Sequence, residues 1–284
     1  MKLRKKFGLF LICVICLMII FAFTDLSISK SLYNKKSKFG EFFQITAPIP
    51  NMIVGPLSAA VLFRLRNKKS HLKNYLVTVI YAGFFLIASI IGAYVPLHYM
   101  GYGLFSSIHI IVTAIYSVAI FIFAHLIKID DVEKFRKIAY IGFIVFVMTP
   151  VIVEIVKTVW GRVRFREMSE PYDMFSRWFF PQFFKHTDTF IDPSSFPSGH
   201  TANAAVIFMI MFLPELYPTF ENKKAILFSI SGIWTICTAI GRIIAGAHFA
   251  SDVTMGAFLA VVIIGLSHRL VYSKFGEKIT SLLE

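Results

Sequence analysis

Eight apolar stretches, each near the length that crosses a lipid bilayer, constrain this chain before anything else does. They run at about 7–24, 45–64, 75–97, 105–127, 138–158, 200–217, 225–245 and 252–272. A hydrocarbon core needs roughly 20 predominantly apolar residues. Lipid offers no partners to backbone N–H and C=O groups, so a spanning segment must satisfy them internally. Unbroken runs of this length are therefore helices. The sequence predicts an all-α fold: one integral membrane domain over 1–284, a polytopic transmembrane helix bundle. Only 16% of its 284 residues are charged, against about 25% in soluble domains.

Two stretches carry extra information. The second holds Pro48, Pro50 and Pro56, which predicts a kink or a partly re-entrant segment. The first follows a basic Met1–Lys6 start, as a secretory signal would. It is longer than the usual signal core and no small-x-small cleavage site follows, so an uncleaved helix is expected.

Charge sets the orientation. The net charge is +13, but the basic residues fall in short clusters between apolar runs. That pattern orients membrane helices and does not form a nucleic-acid stripe. With the N-terminus inside, the segments 1–6, 64–74, 128–137, 218–224 and the tail after 268 hold eighteen of the 29 Lys and Arg residues. Both termini are expected to be cytoplasmic. Lys157, Arg162, Arg164, Arg166, Arg177, Lys185 and Arg242 instead gather at the outer ends of the fifth to eighth stretches, so they need another reason. Cys13, Cys16 and Cys237 all lie inside apolar runs and read as small packing residues.

Three segments meet at that outer face. The first is KTVWGRVRFRE, residues 157–167. Lys157 and Arg164 are seven apart and share a face if the helix continues. Snorkelling explains any one of these cations. Four within ten residues point to an anion with several oxygens, which the forked guanidinium suits. Glu154, three residues earlier, is a costly membrane carboxylate and is expected to pair with Lys157 or another site cation.

The second segment is SSFPSGHTANAAV, residues 194–206. A helix starting here presents free N–H groups and a positive dipole end, and Gly199 lets a ligand approach the backbone closely. Ser198 is either a phosphate donor or an ordinary N-cap; a cap alone does not explain His200. The third is GRIIAGAHFASD, residues 241–252. His248 and Asp252 are four apart, so a carboxylate can fix the histidine tautomer and support its charged form. An interfacial histidine and half of a metal site are the alternatives. No second ligand pair accompanies it, and the nearby Arg and Lys residues repel a divalent cation. Together, two histidines, a carboxylate, several cations and a helix N-terminus are equipment for metal-free phosphoryl transfer.

The set Lys157-x6-Arg164, Pro197-Ser198-Gly199-His200 and Arg242-x5-His248-x3-Asp252 resembles the type 2 phosphatidic acid phosphatases. These are integral-membrane lipid phosphatases that share a helical core with vanadium haloperoxidases. The resemblance covers about 157–265. It implies a six-helix phosphatase core plus two extra N-terminal helices, with N-terminal helices over 1–100 and a catalytic core over 138–272. It also implies roles. His248 is the nucleophile that forms a phosphohistidine, Asp252 orients and charge-supports it, and His200 protonates the leaving oxygen. Lys157, Arg164, Ser198, Gly199 and Arg242 bind the phosphate, with no metal and no cofactor. The run Trp160–Arg164 resembles the bacterial branch with undecaprenyl-diphosphate phosphatases and lipid A 1-phosphatases, which adds Arg162 as a further phosphate contact. Two positions depart from the pattern: Phe165 stands where proline usually follows the first arginine, and Gly241 where serine usually precedes the second.

The expected activity is hydrolysis of a lipid phosphate or diphosphate at the outer face of a bacterial cell membrane. Undecaprenyl diphosphate, phosphatidylglycerophosphate, phosphatidate and a lipid A-type phosphate are the candidate substrates, and membrane lipids the surroundings. The aromatics of 171–184 are expected to frame the exit of the tails. A phosphotransferase using the same site, and a non-catalytic lipid-binding or transport relative, are the alternatives. No motif speaks to oligomeric state.

Overall fold

Apolar length decides most element boundaries, and single residues decide the rest. The computed structural model describes residues 2–66, 71–183, 192–276 and 278; Lys185 lies outside them. Among the described residues there is no strand. Eight helical segments among the described residues are long and apolar enough to cross a membrane, as the sequence predicts.

Helix α1 (Lys2–Leu32) runs eight residues beyond the expected end of the first stretch and so includes Asp25. The second stretch is broken into α2 (Lys38–Thr46) and α3 (Ile49–Arg64). Ser37 caps α2 by accepting the Gly40 N–H at 3.1 Å, an N-cap bond of the usual kind. The interruption falls at Pro48, and Pro50 sits in the first turn of α3, where a missing N–H costs nothing. Pro56 lies inside α3 without ending it. Then come α4 (His71–Tyr99), α5 (Ser107–Leu126) and α6 (Val132–Trp160).

Helix α6 stops at Gly161, whose φ of 57° is the left-handed conformation that terminates helices. The helix therefore does not carry Lys157 and Arg164 on one face, as the spacing had suggested. Arg164 is in extended backbone and Phe165 opens a short 3-10 turn, Phe165–Glu167. The Phe165 ring is buried against Tyr33 and Tyr172, so this departure from the family pattern anchors the loop. The sixth stretch is α7 (Gly199–Ala205), a 3-10 segment (Val206–Phe212) and the single turn α8 (Leu213–Leu216). Helices α9 (Lys224–Ile244) and α10 (Ala250–Val271) complete the set.

The chain folds as two compact units. One comprises Met1–Ala47, Pro150–Ala202 and Thr235–Ala260 and holds all three motifs. In it, Val14 and Met18 of α1 pack with Phe196, and Ile243, Ala250 and Val253 pack with Phe21 and Ile28. Helix α2 lies on α9 where two glycines face each other. A Cβ on Gly241 would stand 3.0 Å from the Phe43 Cβ, and one on Gly40 would stand 3.2 Å from the Gly241 carbonyl oxygen. Small residues let helices approach this closely. Gly241, the second departure, thus brings α2 against the third motif.

The other unit comprises Pro48–Thr149, Asn203–Trp234 and Val261–Glu284. Its core centres on Met52, Ala88 and Phe146. The Tyr116 hydroxyl donates to the Met52 carbonyl at 2.7 Å, and Asn51 donates to Asn203 at 2.6 Å.

Candidate active site

His248 sits in the five-residue turn between α9 and α10 and is 2% exposed. Gly246 makes this turn possible: its φ is 62°, and a Cβ there would collide with the Tyr33 ring. The His248 Nδ1 lies 2.6 Å from the Ser195 carbonyl oxygen. A carbonyl can only accept, so Nδ1 carries the proton and, in the neutral ring, Nε2 keeps its lone pair. The His200 ring is 6.5 Å from that of His248, centroid to centroid. Burial lowers the His248 pKa well below the ordinary imidazole value, helped by Arg242 and Arg164, then by His200 and Lys157. Arg242, Lys157 and Arg164 also act on His200. Three cations from two of the three segments thus act on two histidines.

Each cation is held in place. Lys157 Nζ bonds Glu154 at 2.7 Å, the pairing expected for that membrane carboxylate. The same nitrogen would lie 3.3 Å from a Cβ on Gly199, so the missing side chain leaves room for it. Arg164 is gripped by the Asp192 carboxylate at 2.6 Å and donates to Ser194 Oγ at 2.7 Å. Arg242 is 3% exposed and donates to Gln44 Oε1 at 3.0 Å. Gln44 also bonds the His200 ring through its backbone. Ser198 is fully buried, and its hydroxyl caps α7 by accepting the Thr201 N–H at 3.3 Å. Its backbone N–H donates to the Asp252 carbonyl at 2.9 Å.

Two sequence expectations need correction. The first is that Asp252 pairs directly with His248. Its Oδ2 instead accepts from Ser195 Oγ at 2.6 Å and from the Phe249 N–H at 2.7 Å. Asp252 holds both neighbours of the histidine, and the Ser195 carbonyl orients the ring. The second is that Arg162 contacts the phosphate. Arg162 is fully buried on the far side of Asp252. It donates to Asp252 Oδ1 (2.5 Å), Ser251 Oγ (2.8 Å), the Ser176 carbonyl (2.9 Å) and Asp25 Oδ2 (2.9 Å). A guanidinium has five N–H donors in a fixed fork, and these bonds all point inward.

Asp25, Gln44, Asp192, Ser194 and Ser195 were missed from the sequence. Asp25 had a signal: a carboxylate at the end of an apolar run is costly in a membrane and marks a site by default. The others had none: Gln44 is far in sequence from all three segments, and Asp192, Ser194 and Ser195 are ordinary polar residues ahead of a helix.

Helix α10 backs the second motif at two points one turn apart. Asp252 accepts the Ser198 N–H, and Gly256 lies under the Ser198 carbonyl, which a Cβ would overlap. Backbone on both sides cannot move aside. Gly256→Ala should therefore lose about 1–3 kcal/mol of stability, read by thermal unfolding in detergent. A wild-type melting temperature would contradict this packing.

Comparison with known proteins adds two findings. Residues 137–275 match the PAP2 superfamily. Phosphatidylglycerophosphatase B of Bacillus subtilis (strain 168) is 34% identical over 87 residues, which is 30% of this chain and 40% of that protein. The chain thus covers less than half the length of that relative. No solved structure matches.

Proposed function

On the similarity of residues 137–275 to the PAP2 superfamily, we propose that this chain is a lipid phosphatase working through a phosphohistidine on His248. One observation carries this reading. A buried imidazole has Nδ1 committed to a carbonyl, while three cations act on that ring and on His200 beside it. Cations so placed hold an oxyanion, and a neutral Nε2 beside it is a nucleophile.

The steps balance as follows. Lys157, Arg164 and Arg242 hold the phosphoryl oxygens, with backbone N–H groups at Gly199 adjacent. Nε2 of His248 forms a bond to phosphorus as the bond to the lipid oxygen breaks. His200, in its protonated form, gives that oxygen its proton. The lipid alcohol, or the shortened lipid phosphate, then leaves. His200 next takes a proton from water, whose oxygen bonds phosphorus as the P–N bond breaks. The electron pair returns to Nε2 and inorganic phosphate departs. The Ser195 carbonyl holds the ring throughout.

The substrate class is a lipid phosphate or diphosphate, presented at the outer face where the off-pattern cations gather. The name of the Bacillus relative puts phosphatidylglycerophosphate first. Undecaprenyl diphosphate, phosphatidate and a lipid A-type phosphate follow. Phosphate release from these four lipids by the purified protein, with and without chelator, tests the reading. Turnover of at least one, unaffected by chelator, is expected. No release from any of them, with the lipids bound intact, would favour a lipid-binding relative. Transfer to an added lipid alcohol in place of water would favour the phosphotransferase.

The electrostatics of His248 make a pH prediction. Because its pKa is depressed, the ring stays neutral through the neutral range. Protonation removes the attacking lone pair, so the limb that belongs to His248 appears as pH falls below the usual histidine range, while the alkaline limb belongs to His200, which acts as an acid. The acid limb of kcat/KM, corrected for the substrate's own titration, should lie below about pH 6.5. A limb above that value would contradict a buried, cation-flanked nucleophile.

A further inference from the structure

Two carboxylates share one cation behind the histidine. Arg162 is clamped between Asp252 at 2.5 Å and Asp25 at 2.9 Å, and all three side chains are at most 1% exposed. A single ion pair with Asp252 would need no second carboxylate. Asp25 adds one, a costly arrangement in a membrane protein. Its oxygens are fully engaged: Oδ1 accepts the Ser251 N–H at 3.0 Å, and Oδ2 accepts from Arg162 and the Ser251 hydroxyl. The guanidinium carbon also lies 4.1 Å from the centre of the Phe249 ring, the residue after the nucleophile. A continuous chain of contacts therefore runs Asp25, Arg162, Asp252, Ser195, His248.

His248 faces the opposite problem. Arg242, Arg164 and Lys157 all disfavour positive charge on its ring, yet attack on phosphorus places positive charge there. The carboxylates of Asp252 and Asp25 stand behind the ring on this chain of contacts.

Building on the phosphohistidine reading, we propose that Asp25 is a positioning residue. It fixes Arg162, and through it Asp252 and Ser195, against His248, and it supplies the buried negative charge that offsets the phosphate-binding cations. Asp25 lies on α1, outside the residues that match the superfamily, so α1 is part of the catalytic machinery and not only a membrane anchor.

The test uses the full chain with Asp25→Asn, which removes the charge and keeps the shape, and Asp25→Glu, which keeps the charge and shifts the carboxylate. Two readouts are needed: kcat and KM on the best lipid, and the titration midpoint of His248 by NMR of histidine-labelled protein without substrate. Asp25→Asn should lower kcat about 10- to 100-fold, the range of small misplacements at a reacting centre, with KM changed less than about threefold because the phosphate-binding cations are untouched. Its His248 midpoint should fall, since a nearby anion is lost. Asp25→Glu should keep the midpoint and lose only part of kcat. Unchanged kcat per folded molecule and an unchanged midpoint in Asp25→Asn would overturn the proposal. If Asp25→Asn does not fold, Asp25→Glu decides: reduced kcat at constant KM supports the role, and wild-type kcat rejects it. If the wild type hydrolyses none of the lipids, the phosphatase reading fails. The midpoint shift then still decides whether Asp25 places charge on His248.

Discussion

His248→Ala should lower phosphate release by about 10⁴-fold or more while the protein stays folded. The reason is covalent. In a two-step displacement the nucleophile's loss removes the whole route, and non-additive effects of this size follow such deletions. The remaining cations can still bind the phosphate, so lipid affinity should change little. The fold should tolerate the change because the ring's hydrogen bond is to the Ser195 carbonyl, and a net bond is worth about 1 kcal/mol. The wild type should also carry an acid-labile, alkali-stable phosphoryl label after rapid quenching, and the variant should carry none. A labelled, active His248→Ala would move the nucleophile elsewhere.

Arg162→Ala should have the largest effect on stability, a loss of about 3–5 kcal/mol, the usual cost of removing one partner from a buried ion pair. Two carboxylates, Asp25 and Asp252, would remain buried beside each other without their cation. Thermal unfolding in detergent reads this directly. The result also separates the two accounts of this residue. A phosphate ligand would raise KM and leave the melting temperature alone, whereas the observed placement predicts a protein that melts early and loses turnover with it.

The three motifs were legible because their spacing is local. Lys157, His200, Arg242, His248 and Asp252 each stand at the end of an apolar run, and run lengths bring alternate ends to one side. What lies between them was not legible. The four-residue spacing lets His248 and Asp252 meet on one helical face or across a turn. Helix α10 begins at Ala250, so His248 is in a turn, and Asp252 bonds Ser195 and Arg162. Arg162 looked like one more phosphate cation because it lies two residues from Arg164. In a regular extended chain residues two apart would share a side, but the stretch after Gly161 is irregular and no strand period holds there. Arg164 meets Asp192 and Ser194, whereas Arg162 turns into the protein. Asp25 was lost to a boundary. A span ending at residue 24 leaves it in a loop, whereas α1 carries it on to a buried position.

The all-helical class and the eight apolar segments were readable from the chain alone, because bilayer thickness and backbone hydrogen bonding permit few alternatives. Only the tertiary structure decided which groups orient which. Side chains 137 and 198 residues apart, Asp25 with Arg162 and Gln44 with Arg242, meet through the packing of α1 and of α2, the latter against the glycine face of α9. No local period encodes where two helices cross. That crossing makes one arginine a phosphate ligand in the proposed site and the other the centre of a buried charge network.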